Sequence, residues 1–150
     1  MLHLVPNRPL DLGQLAALLA DKDDLALVWP EARHPFDAEQ WRARLTERPG
    51  NASYFVSDGT IIGHAALLDT GEAGVLAVSF LFIRSDRRAR GYGRRMMALL
   101  EDEAKALGAA ALRLRVRSYN PRAAHVYEAA GFVVMEQEGT LRIMRKGLAG

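Results

Sequence analysis

The spacing of hydrophobic positions changes several times along the chain, and each change marks an element. Met1–Val5 reads as a short edge strand. From Pro9 to Leu19, residues Leu12, Leu15, Leu18 and Leu19 recur at helical spacing. An acidic stretch with Asp21, Asp23 and Asp24 follows, and the chain reads as irregular through Trp29-Pro30 to His34-Pro35. The next helix announces its own start. Asp37 suits the N-cap, Gln40 the third helical position, and Phe36 is placed to pack on Trp41. This helix is expected to run to about Arg48 and to stop at Pro49-Gly50. Tyr54–Ser57 and Thr60–Leu68 flank Asp58-Gly59, which predicts a hairpin. Val75–Ile83 is apolar on both faces, as a central strand is. A helix ending at Leu107 carries Met96, Leu100, Ala104 and Leu107 on one side, with Gly108 just beyond it. Ala111–Ser118 alternates strictly: Leu112, Leu114 and Val116 face one way, Arg113, Arg115 and Arg117 the other. Asn120-Pro121 opens a last helix as N-cap and first helical residue, and Gly131 closes it. Phe132–Met135 and Leu141–Arg145 read as closing strands around a turn at Glu138-Gly139.

Two strands joined by a crossover helix should run parallel, whereas the hairpins make the remaining pairs antiparallel. The expectation is an α/β (α+β) fold in one domain over residues 1–150, with a mixed central sheet of six to seven strands flanked by about four helices. A chain of this size buries about 70% of its unfolded surface without a metal or disulfide staple. The absence of cysteine excludes disulfides, thiolate zinc sites and covalent catalysis through a protein thiol. No apolar run approaches the roughly 18 residues of a membrane span. No basic segment followed by an apolar one opens the chain, so a cytoplasmic protein with no membrane partner is expected.

Charge is unevenly placed. The chain carries +2 overall, but residues 1–83 carry −5 and residues 84–122 carry +7. A basic middle segment points to a phosphorylated partner, although a solvated arginine face gives the same count.

The chemistry concentrates where the apolar strand turns into the long helix, at Arg84-Ser85-Asp86-Arg87-Arg88-Ala89-Arg90-Gly91-Tyr92-Gly93-Arg94. A helix N-terminus offers unpaired N–H groups and the positive end of the helix dipole. Gly91 and Gly93 let the backbone approach a ligand, and Arg88, Arg90 and Arg94 add charge. No Gly-x4-Gly-Lys-Ser/Thr string is present, and the third glycine of a dinucleotide fingerprint is missing. Nucleoside triphosphates and NAD are therefore poor candidates. Arg88-x-x-Gly91-x-Gly93 after an apolar strand resembles the acyl-CoA pyrophosphate loop of the GNAT superfamily of N-acetyltransferases.

A second stretch strengthens the resemblance. Asn120-Pro-Arg-Ala-Ala-His-Val-Tyr127-Glu-Ala-Ala-Gly131-Phe132 is similar to that superfamily's later strand–helix junction. Seven residues are nearly two helical turns, so Asn120 and Tyr127 share a face about 10 Å apart. The resemblance spans roughly residues 52–146 and implies acetyl transfer from acetyl-CoA to a primary amine by direct attack, with no metal. It implies that the backbone of Leu81, Phe82 and Ile83 binds the pantetheine arm. The loop Arg88, Ala89, Arg90, Gly91, Tyr92, Gly93 and Arg94 would hold the pyrophosphate, Asn120 would bond the cofactor, and Tyr127 would be the general acid at the cofactor's sulfur. Some relatives carry a Glu on the strand before the loop, and Val78–Ile83 has no acid. Ribosomal-protein acetyltransferases carry a Glu five residues before the Asn, where this chain has Arg115.

The acceptor, a small-molecule amine or a peptide or protein amine, is expected to approach from Asp21–Pro35 and from the turns Asp69–Gly74 and Glu138–Thr140. Trp29, Glu31, His64 and Glu72 are the candidate residues on that side. Two rival readings keep the same loop. One is a non-catalytic acyl-CoA sensor. The other is a nucleic-acid-binding module using the basic 84–122 band, against which stands the lack of interleaved aromatics. Dimers are common in the superfamily, so a homodimer is an open expectation.

Overall fold

The computed structural model describes residues 1–148. The single-domain reading of 1–150 therefore has its last two residues outside the described part.

The elements, in chain order, are β1 (His3–Pro6), α1 (Leu12–Leu18), α2 (Lys22–Val28), α3 (Ala38–Leu45), β2 (Ala52–Ser57), β3 (Ile61–Asp69), β4 (Val75–Ile83), α4 (Tyr92–Ala106), β5 (Ala111–Arg117), α5 (Pro121–Ala129), β6 (Val133–Glu138) and β7 (Leu141–Gly147), with a short 3-10 turn at Ser85–Arg87 before α4. The seven strands form one sheet in the order β1-β2-β3-β4-β5-β7-β6. Only β4 and β5 are parallel; the other pairs are antiparallel.

The structure differs from the expected elements in two places. The segment expected to be irregular contains a helix, α2, so five helices flank the sheet rather than about four. Asp21 caps α2 by accepting from the amides of Asp23 and Asp24, yet only Leu25 of that helix is buried, too little for a periodic signal. The helix α3 ends at Leu45, short of Arg48. Its Gln40 reaches away from the cap, accepting from Arg33 N and donating to the Glu31 carbonyl. The closing strands form the expected hairpin, with β7 between β5 and β6 and β6 on the edge, where Val133, Val134 and Met135 are exposed.

Two cores lie on opposite faces of the sheet. On one face α4 and α5 bury Met96, Met97, Leu100 and Ala124 against Leu67, Val78, Leu112, Leu114 and Met144. On the other, α1–α3 bury Leu15, Leu25, Trp41 and Leu45 against Phe55, Ala66, Leu68 and Phe82. Phe36 stacks on Trp41 at 5.4 Å between ring centres, as the spacing of the α3 start predicted.

Paired residues in a ladder share a face. Ala77 packs under α1–α3 and is in register with Arg113. The alternating arginines of β5 therefore point to the α1–α3 side, while Leu112, Leu114 and Val116 point to the α4–α5 side.

Candidate active site

The site begins with an interruption of the sheet. The β4–β5 ladder holds only at Val75↔Ala111, Leu76↔Leu112 and Ala77↔Arg113. Beyond it the two strands part, and β4 leaves its pairing groups on that side without a neighbour. The cause lies in β4. At Phe80 the chain takes a left-handed conformation, φ 53°, and the β3–β4 register slips between His64 and Ala66. A non-glycine residue there costs about 1–2 kcal/mol, and a buried ring offsets it. His64, fully buried, pairs one ring nitrogen with the Phe80 carbonyl at 3.1 Å and the other with Ser53 Oγ at 2.7 Å. Gly63 beside it is required: a Cβ there would run into the Phe82 carbonyl.

Leu81, Phe82 and Ile83 thus line a slot between β4 and β5 with their backbone. On the β3 side, Gly63 is in register with Ile83 and His64 with Phe82. Arg84 N donates to the Ile62 carbonyl at 2.7 Å, so by alternation the polar groups of Ile83 turn toward the slot. Arg88 Nε donates to the Ile83 carbonyl at 2.8 Å, and the Ile83 N–H has no side-chain or loop partner among the described residues.

The loop that follows forms a cup of amides. Ala89 and Gly91 both have positive φ, 63° and 75°. Such alternation turns successive N–H groups to one side. The first helical bond of α4 is from Arg95 N to the Gly91 carbonyl. Among the described residues the amides of residues 89–94 therefore have no backbone acceptor, and no side chain caps the helix. Gly91 faces open space. The cup fits a diphosphate: its donors are unspent, its helix is fifteen residues long, and Arg90 and Arg94 are exposed with no ion pair among the described residues.

The arginines of the loop do not all point into the cup. Arg88 lies over the Phe82 ring at 5.5 Å and reaches Asp24 at 3.5 Å, so its side chain ties the loop to α2. Arg87 and Tyr92 both bond Asp58, at 3.4 and 3.2 Å, which fastens the cup to the β2–β3 turn. The Asp58 role was not visible in the sequence, where Asp58-Gly59 reads only as a turn.

From the α4–α5 side, α5 brings Asn120 and Tyr127. Asn120 Oδ1 accepts from Ala123 N at 3.3 Å, capping the helix, and its side-chain amide has no partner among the described residues. The Tyr127 ring packs edge-on to Phe132 at 6.2 Å. Among the described residues its hydroxyl has no hydrogen-bond partner, yet it is not sealed from solvent as the unpaired Trp41 Nε1 and Asn51 Nδ2 are. Burial raises its pKa to about 12, because the phenolate would lose solvation. The hydroxyl is therefore a protonated donor at neutral pH.

The four acceptor-side candidates are scattered. Trp29 belongs to an aromatic cluster with Trp41 and Phe80, at 5.0 and 5.3 Å, that covers the β4 bulge. Glu31 is exposed, and Glu72 is paired with Arg145 at 3.0 Å. His64 has neither ring nitrogen free, and burial lowers its pKa to about 4, so its surroundings are those of a neutral packing group that holds the bulge. In the acidic stretch of the Asp21–Pro35 segment, Asp21 is spent on a cap and Asp24 on Arg88. Among the described residues no cluster of His, Asp or Glu is arranged to hold a metal, and no helix is long and apolar enough to cross a membrane.

Known proteins share this fold. The model of the acetyltransferase (GNAT) family matches residues 17–132. An IAA acetyltransferase of Azospirillum brasilense is 34% identical over 74 residues, 49% of this chain and 48% of that protein, so the match spans about half its length. Spermidine N-acetyltransferase from Vibrio cholerae, solved in complex with CoA and spermine, superposes with a TM-score of 0.81 at 19% identity, over 98% of this chain and 95% of that one. YncA from Salmonella typhimurium, solved with its cofactor acetyl-CoA, superposes with a TM-score of 0.74 at 17% identity, over 100% and 95%. At these identities the two structures speak for the fold.

Proposed function

The chain belongs to the acetyltransferase (GNAT) family, and from that premise we propose that it moves the acetyl group of acetyl-CoA to a primary amine by direct attack. What supports the reading is the cup of unspent amides at residues 89–94, which follows directly on the part of β4 that β5 leaves unpaired.

Acetyl-CoA supplies an activated acyl carbon; the chain supplies position and protons. The cup and the exposed Arg90 and Arg94 hold the diphosphate. The N–H of Ile83 and the Asn120 side-chain amide bond the pantetheine arm. A neutral amine forms the new C–N bond as the C–S bond breaks. The amine proton leaves to solvent, and Tyr127 gives its proton to the departing sulfur.

The test is thiol release from acetyl-CoA across a panel of amines, with the wild type and Tyr127→Phe. The expected result is turnover for at least one amine and a loss of roughly 10²–10⁴-fold in kcat for the variant, with acetyl-CoA affinity kept. Equal turnover by the variant removes Tyr127 from the role. Acetyl-CoA binding without thiol release for any amine would favour the sensor reading.

A further inference from the structure

The half of the sheet that α1–α3 leave bare carries a ladder of arginines beside the slot. Arg113, Arg115 and Arg117 point to that side. Their neighbours in register on β7 are Arg145, Ile143 and Leu141, and the face continues to Glu136 and Glu138 on β6. No helix covers these positions; Arg115, Glu136 and Glu138 are exposed.

Like charges opposite one another in a ladder are unfavourable, yet Arg113 faces Arg145 directly. Arg145 is neutralised by Glu72 at 3.0 Å, and Arg117 donates to Thr140 Oγ1 at 3.4 Å. Arg113 and Arg115 have no ion pair among the described residues. They sit about 7 Å apart along the strand, and they flank the point where β5 parts from β4, since Ala77↔Arg113 is the last pair. The diphosphate cup lies at the start of α4, and α4 packs on the opposite face. The arginine ladder is thus a second cationic feature, facing the side from which an acceptor reaches the slot.

Resting on the acetyltransferase reading above, we propose that the acceptor is an amine that also carries an anionic group, a carboxylate or phosphonate, and that Arg115 with Arg113 recognises that group. A guanidinium fork suits planar or tetrahedral oxyanions. The positive zone is narrow. Glu136 shares a row with Ile143 and Arg115, two strand spacings or about 10 Å away. That boundary suits a compact anion and repels an extended polyanion such as RNA. The ammonium of such an acceptor is drawn no further than the anion allows, which sets its nitrogen over the slot.

The experiment compares matched pairs: α-amino acids and aminoalkylphosphonates against the corresponding amino-acid amides and plain alkylamines. Thiol release is measured in wild type, Arg115→Gln, Arg113→Gln and a control of equal charge change on the far end of α4, Lys105→Gln. The acid-bearing member is expected to be preferred at least tenfold in kcat/KM. The two ladder variants should raise KM for acidic amines at least tenfold with a smaller change in kcat, and the control should keep the preference. A parallel binding readout uses the CoA-loaded protein titrated with N-acetyl amino acids and their amides. The acids should bind, the amides should not, and Arg115→Gln should abolish the difference. Turnover with no acid preference, or tighter binding of RNA than of the small acids, overturns the proposal. If no amine is turned over but the acids still bind through Arg115, the anion site stands and the enzyme reading fails.

Discussion

A histidine sealed beneath a strand takes up a proton only by burying a charge away from water, and that lost solvation resists protonation. His64 is in that position, and its pKa falls to about 4 from an unfolded value near 6.5. The folded state binds the proton less readily than the unfolded one, so stability is full above pH 6.5 and is lost as pH falls from 6.5 toward 4. The difference of roughly 2.5 pH units is worth about 3 kcal/mol. Denaturant unfolding of wild type and His64→Gln across pH 4 to 7 should show a steeper acid loss in the wild type. Parallel slopes would mean that His64 titrates normally in the fold. Tyr127 has the opposite sign. Its folded pKa is raised to about 12, so its contribution is present below pH 10 and is lost between 10 and 12. It follows that an alkaline fall in kcat/KM centred near pH 8 or 9 must belong to another group, and not to the acceptor's own amine, which gains reactivity as it loses its proton. Such a limb should survive in whatever residual activity Tyr127→Phe retains; its disappearance there would contradict the assignment.

Whole elements were legible wherever their signal was local. The caps Asp37 and Asn120 each bond an amide three residues ahead, and the helix starts they mark appear where the sequence put them. The arginine–leucine alternation of β5 became one polar and one buried face. What was not legible is set by distant partners. The helix α2 is only seven residues with one buried side chain, so its period never repeats. The left-handed Phe80 depends on a ring sixteen residues earlier, and the inward turn of Arg88 depends on Asp24, which lies on another element. The place of β7 between β5 and β6 is likewise invisible, because a hairpin pairs the same way whichever strand takes the edge. The α4 entrance combines both kinds of information: its glycines are local, its empty amides are not. Gly91→Val tests it. The position has φ 75° and nothing within 4 Å of an added Cβ, so the fold should survive at a cost of about 1–2 kcal/mol. The new side chain would stand where the diphosphate is expected, and affinity for CoA should drop more than tenfold. A variant that binds CoA as the wild type does would place the cup's ligand elsewhere.

At the scale of the molecule, the sheet is two half-sheets joined by a weak seam. Each face of the sheet has its own core: α1–α3 lie over β2–β4 on one, and α4–α5 lie over β2–β5 and β7 on the other, where packing alone bridges the seam. The only direct ladder between the halves is the three-residue pairing of β4 with β5. A ligand bound to the backbone of β4, to the α4 entrance and to Asn120 on α5 spans that seam, and it can do so only while both halves are folded. Binding must then stabilise the whole, not a loop. Saturation at 100 times Kd should add about 2.7 kcal/mol, and for a domain of this size each kcal/mol moves Tm by about 2–4 °C, so CoA should raise Tm by roughly 5–11 °C. The rise should come as a single transition, and amide exchange should slow on both sides of the seam, in β4 and in β5 alike. A flat melting curve at saturating CoA would deny the site. A rise with protection confined to the residues 84–94 would mean that the ligand touches the loop without entering the slot, leaving Tyr127 too far from the chemistry to take part in it.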